Sequence, residues 1–167
     1  AIIHVQKASP DGTCIIEGDE FHDVDIAIAA KKVIVTCEEL VSDEYIRRDP
    51  SLTKVFSQCV SAVVHVPFGA CPSQCYNYYD VDGVALTEYD KASKYADAAD
   101  AVKKLKKEAA KKGIEFNLEN KPETFEDYVE KWVYSVKNHE ELLDKIGGSR
   151  LMTIRNVPGL GYAGKVQ

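Results

Sequence analysis

Two adjacent carboxylates, Glu38 and Glu39, close the β-branched run Val33-Ile34-Val35-Thr36-Cys37. Ligands of parallel sheets gather beyond the carboxyl ends of strands, so a glutamate there could act as an acid or base, or accept a hydrogen bond from a ligand. The blander reading, two solvated residues leading into the next helix, carries more weight on pattern alone. Arg47-Arg48 could clamp a carboxylate or phosphate in bidentate fashion, although arginines ending a short helix also simply complement its dipole. Cys71 and Cys75 with His65 upstream suggest a metal, but structural zinc uses four ligands in closely spaced pairs and only one loose pair is present. His4, His22, His65 and His139 show no ligand spacing. His22 could serve as a base beside Asp23 and Asp25, which are better suited to capping the next helix. Neither Ser73 nor Ser149 lies in a nucleophile elbow, and Asp11-Gly12 and Gly159-Leu160-Gly161 lack the setting of a nucleotide-binding loop. The chain is expected to hold neither a metal site nor a nucleophile.

The elements that would position these residues follow from periodicity. Ile2 to Lys7 is a run of strand length, Ser9-Pro10-Asp11-Gly12 a turn, and Thr13 to Ile16 a returning strand, so residues 2–17 predict a hairpin. Asp23 or Asp25 would cap a short helix through Lys32; Val33–Cys37 predicts a buried parallel strand. Ser42 caps a helix to Arg48, stopped by Asp49-Pro50, and Ala62–Val66 is a further strand ended by Pro67. This alternation predicts an α/β sheet. Residues 67–83 form a loop dense in Pro, Gly, Tyr and Cys. Three helical runs follow: Tyr89 to Lys112 ending at Gly113, Pro122 to Lys137 with aromatic core positions, and His139 to Ile146. Leu151–Ile154 reads as a last strand, and the stretch after Pro158 as irregular.

Composition narrows the function. The chain has 167 residues, is 45% hydrophobic and 29% charged, and carries a formal charge of −6, in the ordinary range of a globular domain and against a nucleic-acid footprint. The six lysines between Lys103 and Lys112 read as the solvated face of a helix. Five cysteines without a secreted-scaffold pattern, and no apolar run of membrane-spanning length, lead us to expect a reduced cytoplasmic protein. Ala1-Ile2-Ile3-His4-Val5 opens directly in strand-like sequence, from which a fragment is expected.

Several stretches resemble one family. Ile2-Ile3-His4-Val5-Gln6-Lys7-Ala8-Ser9-Pro10-Asp11-Gly12 is similar to an IIHxQxAxxxG segment of coenzyme A transferase α (A) subunits. Asp23–Ala27 and Ile34–Glu39 resemble the family's next helix and strand. Asp43–Pro50, Pro67–Tyr76 and Val157–Tyr162 resemble its glutaconate branch. The matches run in family order over nearly the whole chain. Departures are Cys71 where His is expected, Glu17 at a position usually small or aromatic, and a helical insertion over about 95–122.

The resemblance implies a three-layer α/β/α fold with a mostly parallel sheet and a helix-rich C-terminal portion. Residues 1–167 would be the C-terminal part of a single α-subunit domain of a family I CoA-transferase. The family's mechanism is covalent: a glutamate attacks the acyl-CoA thioester to give a mixed anhydride and free CoA. The CoA attacks that anhydride and releases the donor acid, and the acceptor acid resolves the glutamyl-CoA thioester that remains. That glutamate belongs to the β (B) subunit, in a Glu-Asn-Gly-type motif absent here. The implied partners are the remainder of the α subunit together with the β subunit. The implied substrates are a CoA thioester and a carboxylic, including a dicarboxylic, acid, with no tightly bound cofactor, since thioester energy is exchanged and not created. In this reading the loop Gly69–Tyr79 faces the cleft, with Glu38, Ser73 and Gln74 as substrate-binding residues. The alternatives are a ring-opening hydrolase of a CoA thioester on the same frame, and a non-catalytic assembly module.

Overall fold

Strand β1 (Ile2–Ala8) sets the pattern of the sheet. Ile3 and Val5 enter the core and are 4% and 0% exposed, whereas alternation puts His4 and Gln6 on the opposite face. In the turn that follows, Gly12 N–H donates to Ser9 O at 3.0 Å, and Gly12 adopts φ +98°, which side chains resist. The chain returns antiparallel as β2 (Cys14–Ile15), with Lys7 opposite Ile15. The expected hairpin is present.

Helix α1 (Asp23–Ala29) packs Val24 and Ala27 on the core of Ile3, Val5, Val35 and Cys37. The expected carboxylate cap is not made. His22 takes the N-cap position without a side-chain bond, and Asp23 and Asp25 lie inside the first turn, where the helix dipole favours them. Strand β3 (Ile34–Leu40) runs parallel to β1, with His4 opposite Thr36 and Val5 opposite Cys37. It continues past Cys37, so Glu38 and Glu39 belong to the strand itself.

Helix α2 (Asp43–Arg47) is capped by Ser42 Oγ, which accepts from Tyr45 N at 3.2 Å. Strands β4 (Thr53–Val55) and β5 (Ala62–His65) complete a five-stranded sheet ordered β4-β2-β1-β3-β5. Strands β1, β3 and β5 are parallel; β2 pairs antiparallel with β1, and β4 pairs antiparallel with β2. The fold class is α/β, with a mixed sheet.

The structure is a computed structural model and describes residues 1–116, 122–148, 150, 151 and 154, in two compact units. The sheet unit comprises Ala1–Asp82 and, from the later chain, Arg150, Leu151 and Ile154. Leu151 and Ile154 are helical, not strand. Their spacing of three places both on one helical face, and they pack on Cys75, Tyr79 and Phe68. The segment Val157–Tyr162 lies outside the described residues.

The second unit, Gly83–Gly148, is helical. The expected run from Tyr89 to Lys112 is two helices, α3 (Gly83–Ser93) and α4 (Ala98–Lys112). Asp97 divides them, because its side chain accepts from Asp100 N at 2.8 Å and caps α4. Gly113 ends α4 at φ +66°, and the six lysines on it are exposed. Helix α5 (Phe125–Val129) starts from a Thr124–Asp127 capping box and runs into a π-helical turn, Glu130–Tyr134. Ring contacts join Tyr128 to Tyr89 at 5.6 Å, and to Phe125 and Trp132 at 6.4 Å each. Helix α6 (His139–Ile146) begins at the Asn138 cap. Among the described residues no helix is long and apolar enough to cross a membrane.

Candidate functional site

The face of the sheet opposite α1 carries His4 and Gln6 from β1 and Thr36 and Glu38 from β3. The loop Val66–Asp82 lies over it. Glu38 is 7% exposed and organises the region. Its Oε1 accepts from His4 Nε2 at 2.7 Å and from the Tyr79 hydroxyl at 2.7 Å, and its Oε2 accepts from Phe68 N–H at 2.9 Å. Burial opposes the charge, but the hydrogen bonds from His4, Tyr79 and Phe68 outweigh it and hold the carboxyl below its ordinary range. Tyr79 Oη in turn accepts from Ala70 N–H at 2.9 Å, and burial together with Glu38 keeps the phenol protonated.

His4 is fixed from every side. Glu38 can only accept, so His4 Nε2 carries a proton; His4 Nδ1 lies 2.8 Å from Thr36 Oγ1. Gly69 packs so closely that a Cβ there would stand 2.7 Å from His4 Cε1 and 2.7 Å from Val66 O. Phe68 holds φ +61°, a left-handed conformation that costs a non-glycine residue about 1–2 kcal/mol. It aims its N–H at Glu38 and stacks its ring on Tyr79 with centroids 4.9 Å apart.

Beside this network opens a cleft of about 390 Å³, lined by His4, Gln6, Glu17, Asp19, Asp23 and Gln74 among others. Gln6 pins its wall: its amide exchanges hydrogen bonds with the Glu17 backbone at 3.0 and 3.3 Å. Glu17 pairs with Lys7 and accepts from Asn77 Nδ2 at 2.8 Å. Burial works against its ionisation, but these contacts leave its carboxyl below the ordinary range. Burial pushes the Asp23 carboxyl up. No lysine or arginine lines the cleft among the described residues.

The residues singled out in the sequence are distributed unevenly. Gln74 lines the cleft. Glu38 lies beneath it, behind His4, and Ser73 is exposed outside it, its N–H donating to Ala70 O at 2.8 Å. Glu39 is exposed and accepts from the Tyr78 hydroxyl at 2.5 Å; Arg47 stays on the surface, 4.0 Å from Asp43. His65 Nε2 meets the Glu38 carbonyl at 3.0 Å. His4, Glu38 and Cys75 bring three ligand types within 4.8 Å, although His4 Nε2 and both Glu38 oxygens are already hydrogen-bonded. Burial pushes the Cys71 and Cys75 thiols up to about 11 and about 12, so both are inert thiols at neutral pH. His4, Gln6, Glu17 and Tyr79 were not recognisable from spacing. The one available signal was parity: with Ile3 and Val5, and Val35 and Cys37, facing the core, His4 and Glu38 must share the other face.

The sequence and the fold have known counterparts. The chain is 47% identical over 97% of its length to the A subunit of glutaconate CoA-transferase of Acidaminococcus fermentans, covering 42% of that protein. The crystal structure of glutaconate coenzyme A-transferase from the same organism superposes with a TM-score of 0.76, over 98% of this chain and 43% of that one. Over nearly its whole length, then, this chain is similar in sequence and in fold to part of a CoA-transferase A subunit. The chain also resembles the A subunit of 3-oxoadipate CoA-transferase of Pseudomonas knackmussii, 36% identical over 53% of this chain and 31% of the relative. An uncharacterized protein of Archaeoglobus fulgidus is 32% identical over 96% of this chain and 30% of its own length. No family model matches the chain. The chain thus spans less than half the length of each curated relative it matches.

Proposed function

We propose that this chain forms one wall of the substrate cleft in an enzyme that exchanges CoA between an acyl-CoA and a carboxylic, including a dicarboxylic, acid. The identity to the A subunit of the glutaconate enzyme over 97% of the chain carries the reading. The attacking glutamate comes from a B subunit. Glu38, the one buried glutamate among the described residues, is held by three donors and lies below the cleft surface, unsuited to attack a thioester. The CoA thioester is a substrate, and no tightly bound cofactor takes part. Gln74 and His4 touch the substrate from this side. The lining carries Glu17, Asp19 and Asp23 with no lysine or arginine among the described residues, so the cations that balance the acid's carboxylates and the CoA phosphates come from the rest of the enzyme. The rest of the A subunit completes the cleft, and the segment 95–122, which holds α4, is an insertion on the family frame. Five unpaired thiols suit a reducing, cytoplasmic setting.

The test is to purify the chain, within its A subunit, in complex with a B subunit, and to follow acyl-CoA with and without an acceptor acid. Transfer that requires both the acid and the B subunit supports the reading. Thioester loss without an acceptor would favour the ring-opening hydrolase, and transfer by this chain alone would show that the nucleophile had been sought in the wrong subunit.

A further inference from the structure

Resting on that reading, we infer that Glu38 and Tyr79 are positioning residues: they fix the cleft wall through His4 and Ala70, without touching substrate. Two observations separate them from structural polar groups of the ordinary kind. First, neither lines the cleft, yet each is bonded to a residue that does: Glu38 to His4 at 2.7 Å, and Tyr79 to the Ala70 amide at 2.9 Å. Second, the loop is held under tension. Phe68 sits at φ +61° with its N–H on Glu38, and Gly69 leaves no room for a Cβ against His4. A strained backbone persists only where its surroundings over-determine it, and such strain gathers at sites whose geometry matters. One carboxylate thus joins β1, through His4, to the loop at two points, Phe68 and Tyr79.

The wall that results includes Ala70, Gln74 and Cys75 on the loop side and His4 and Gln6 on the sheet side. Removing the Tyr79 hydroxyl keeps the ring and its stacking on Phe68 but releases the Ala70 amide and one of Glu38's three donors. Displacements near 1 Å in a substrate wall can cost on the order of 100-fold in rate.

The experiment uses Tyr79→Phe in the assembled A–B enzyme, with Thr124→Ala as a control that weakens the helical unit and leaves the cleft intact. Expected are a fall in kcat/KM of about tenfold or more, accelerated hydrogen exchange of the Ala70 amide, and unchanged kinetics for Thr124→Ala. A Tyr79→Phe enzyme within twofold of wild type, with Ala70 exchange accelerated, would mean that the network only stabilises the loop. Unchanged Ala70 exchange would remove even that role. A wild-type complex without transfer activity would sink the functional reading, and Ala70 exchange alone would then decide whether the network holds the loop. Should Tyr79→Phe not assemble, Thr36→Val replaces it, deleting the hydroxyl at His4 Nδ1 while keeping the side chain's shape; a drop of the same sign is required.

Discussion

A buried carboxylate survives only if its lone pairs are answered, and Glu38 has His4, Tyr79 and the Phe68 amide as donors. Glu38→Gln changes one of its oxygens into an NH₂ that faces donors. We expect it to cost about 2–3 kcal/mol near neutral pH, measured by urea unfolding. Folding lowers the Glu38 pKa, so its stabilisation is complete above the ordinary value of 4.5 and is lost as pH falls through the lower, folded value. The gap between wild type and Glu38→Gln should therefore shrink on acidification below that point. A gap that widened there would mean that Glu38 is not ionised in the fold. The neighbouring thiols set a contrast. Cys75 is raised to about 12 by burial and by Glu38, so alkylation of the native protein at pH 8 should spare it, as mass mapping of the labelled cysteines would show.

At the scale of elements, the capping box of α5 offers the cleanest prediction. Thr124 is 1% exposed, its Oγ1 donates to Asp127 Oδ2 at 2.7 Å, and it accepts from Asp127 N at 3.2 Å. Thr124→Ala should lose about 1–2 kcal/mol and unprotect the Asp127 amide, with most of the loss restored by Thr124→Ser. The same chemistry shows what was legible beforehand. Ser42, Gly113 and the turn at Gly12 were readable because a cap or a positive φ is a local demand written in one or two residues. The division at Asp97 was hidden because lysines and alanines on both sides sustain a helical pattern, and the cap shows only in the hydrogen bond to Asp100. Strand β4 is three residues long, too short for periodicity to register. The site was harder still. Glu38 could be singled out as a carboxylate at a strand's end, but its partners lie 34 residues before it and 30 and 41 residues after it. Ser73 and Gln74 are adjacent in sequence, yet only the fold of the loop decides that Gln74 enters the cleft and Ser73 does not.

For the whole molecule, the sheet unit is built from two distant stretches of chain, and among the described residues an ion pair joins them. Asp82 ends the first stretch at 2% side-chain exposure, and Arg150, 68 residues later, donates Nε to its Oδ2 at 2.6 Å. Next to it Asp80 N–H donates to Ile154 O at 2.9 Å, and Leu151 and Ile154 pack on Tyr79. The returning helical segment thus supports the same loop that Glu38 holds from the sheet. Arg150 is 20% exposed, so its attraction is partly screened, but truncation leaves the Asp82 charge deeply buried. We expect Arg150→Ala to cost about 2–3 kcal/mol, at the low end for a broken buried pair. The loss should be confined to the sheet unit: exchange should accelerate at the Asp80 and Asp82 amides, while the Asp127 amide of the helical unit keeps its protection. Arg150→Lys, which preserves charge but loses the planar guanidinium donor, should recover part of the loss. Equal loss of protection at Asp127 would show that the two units unfold as one, and no loss at Asp80 would show that the distant segment does not hold the loop.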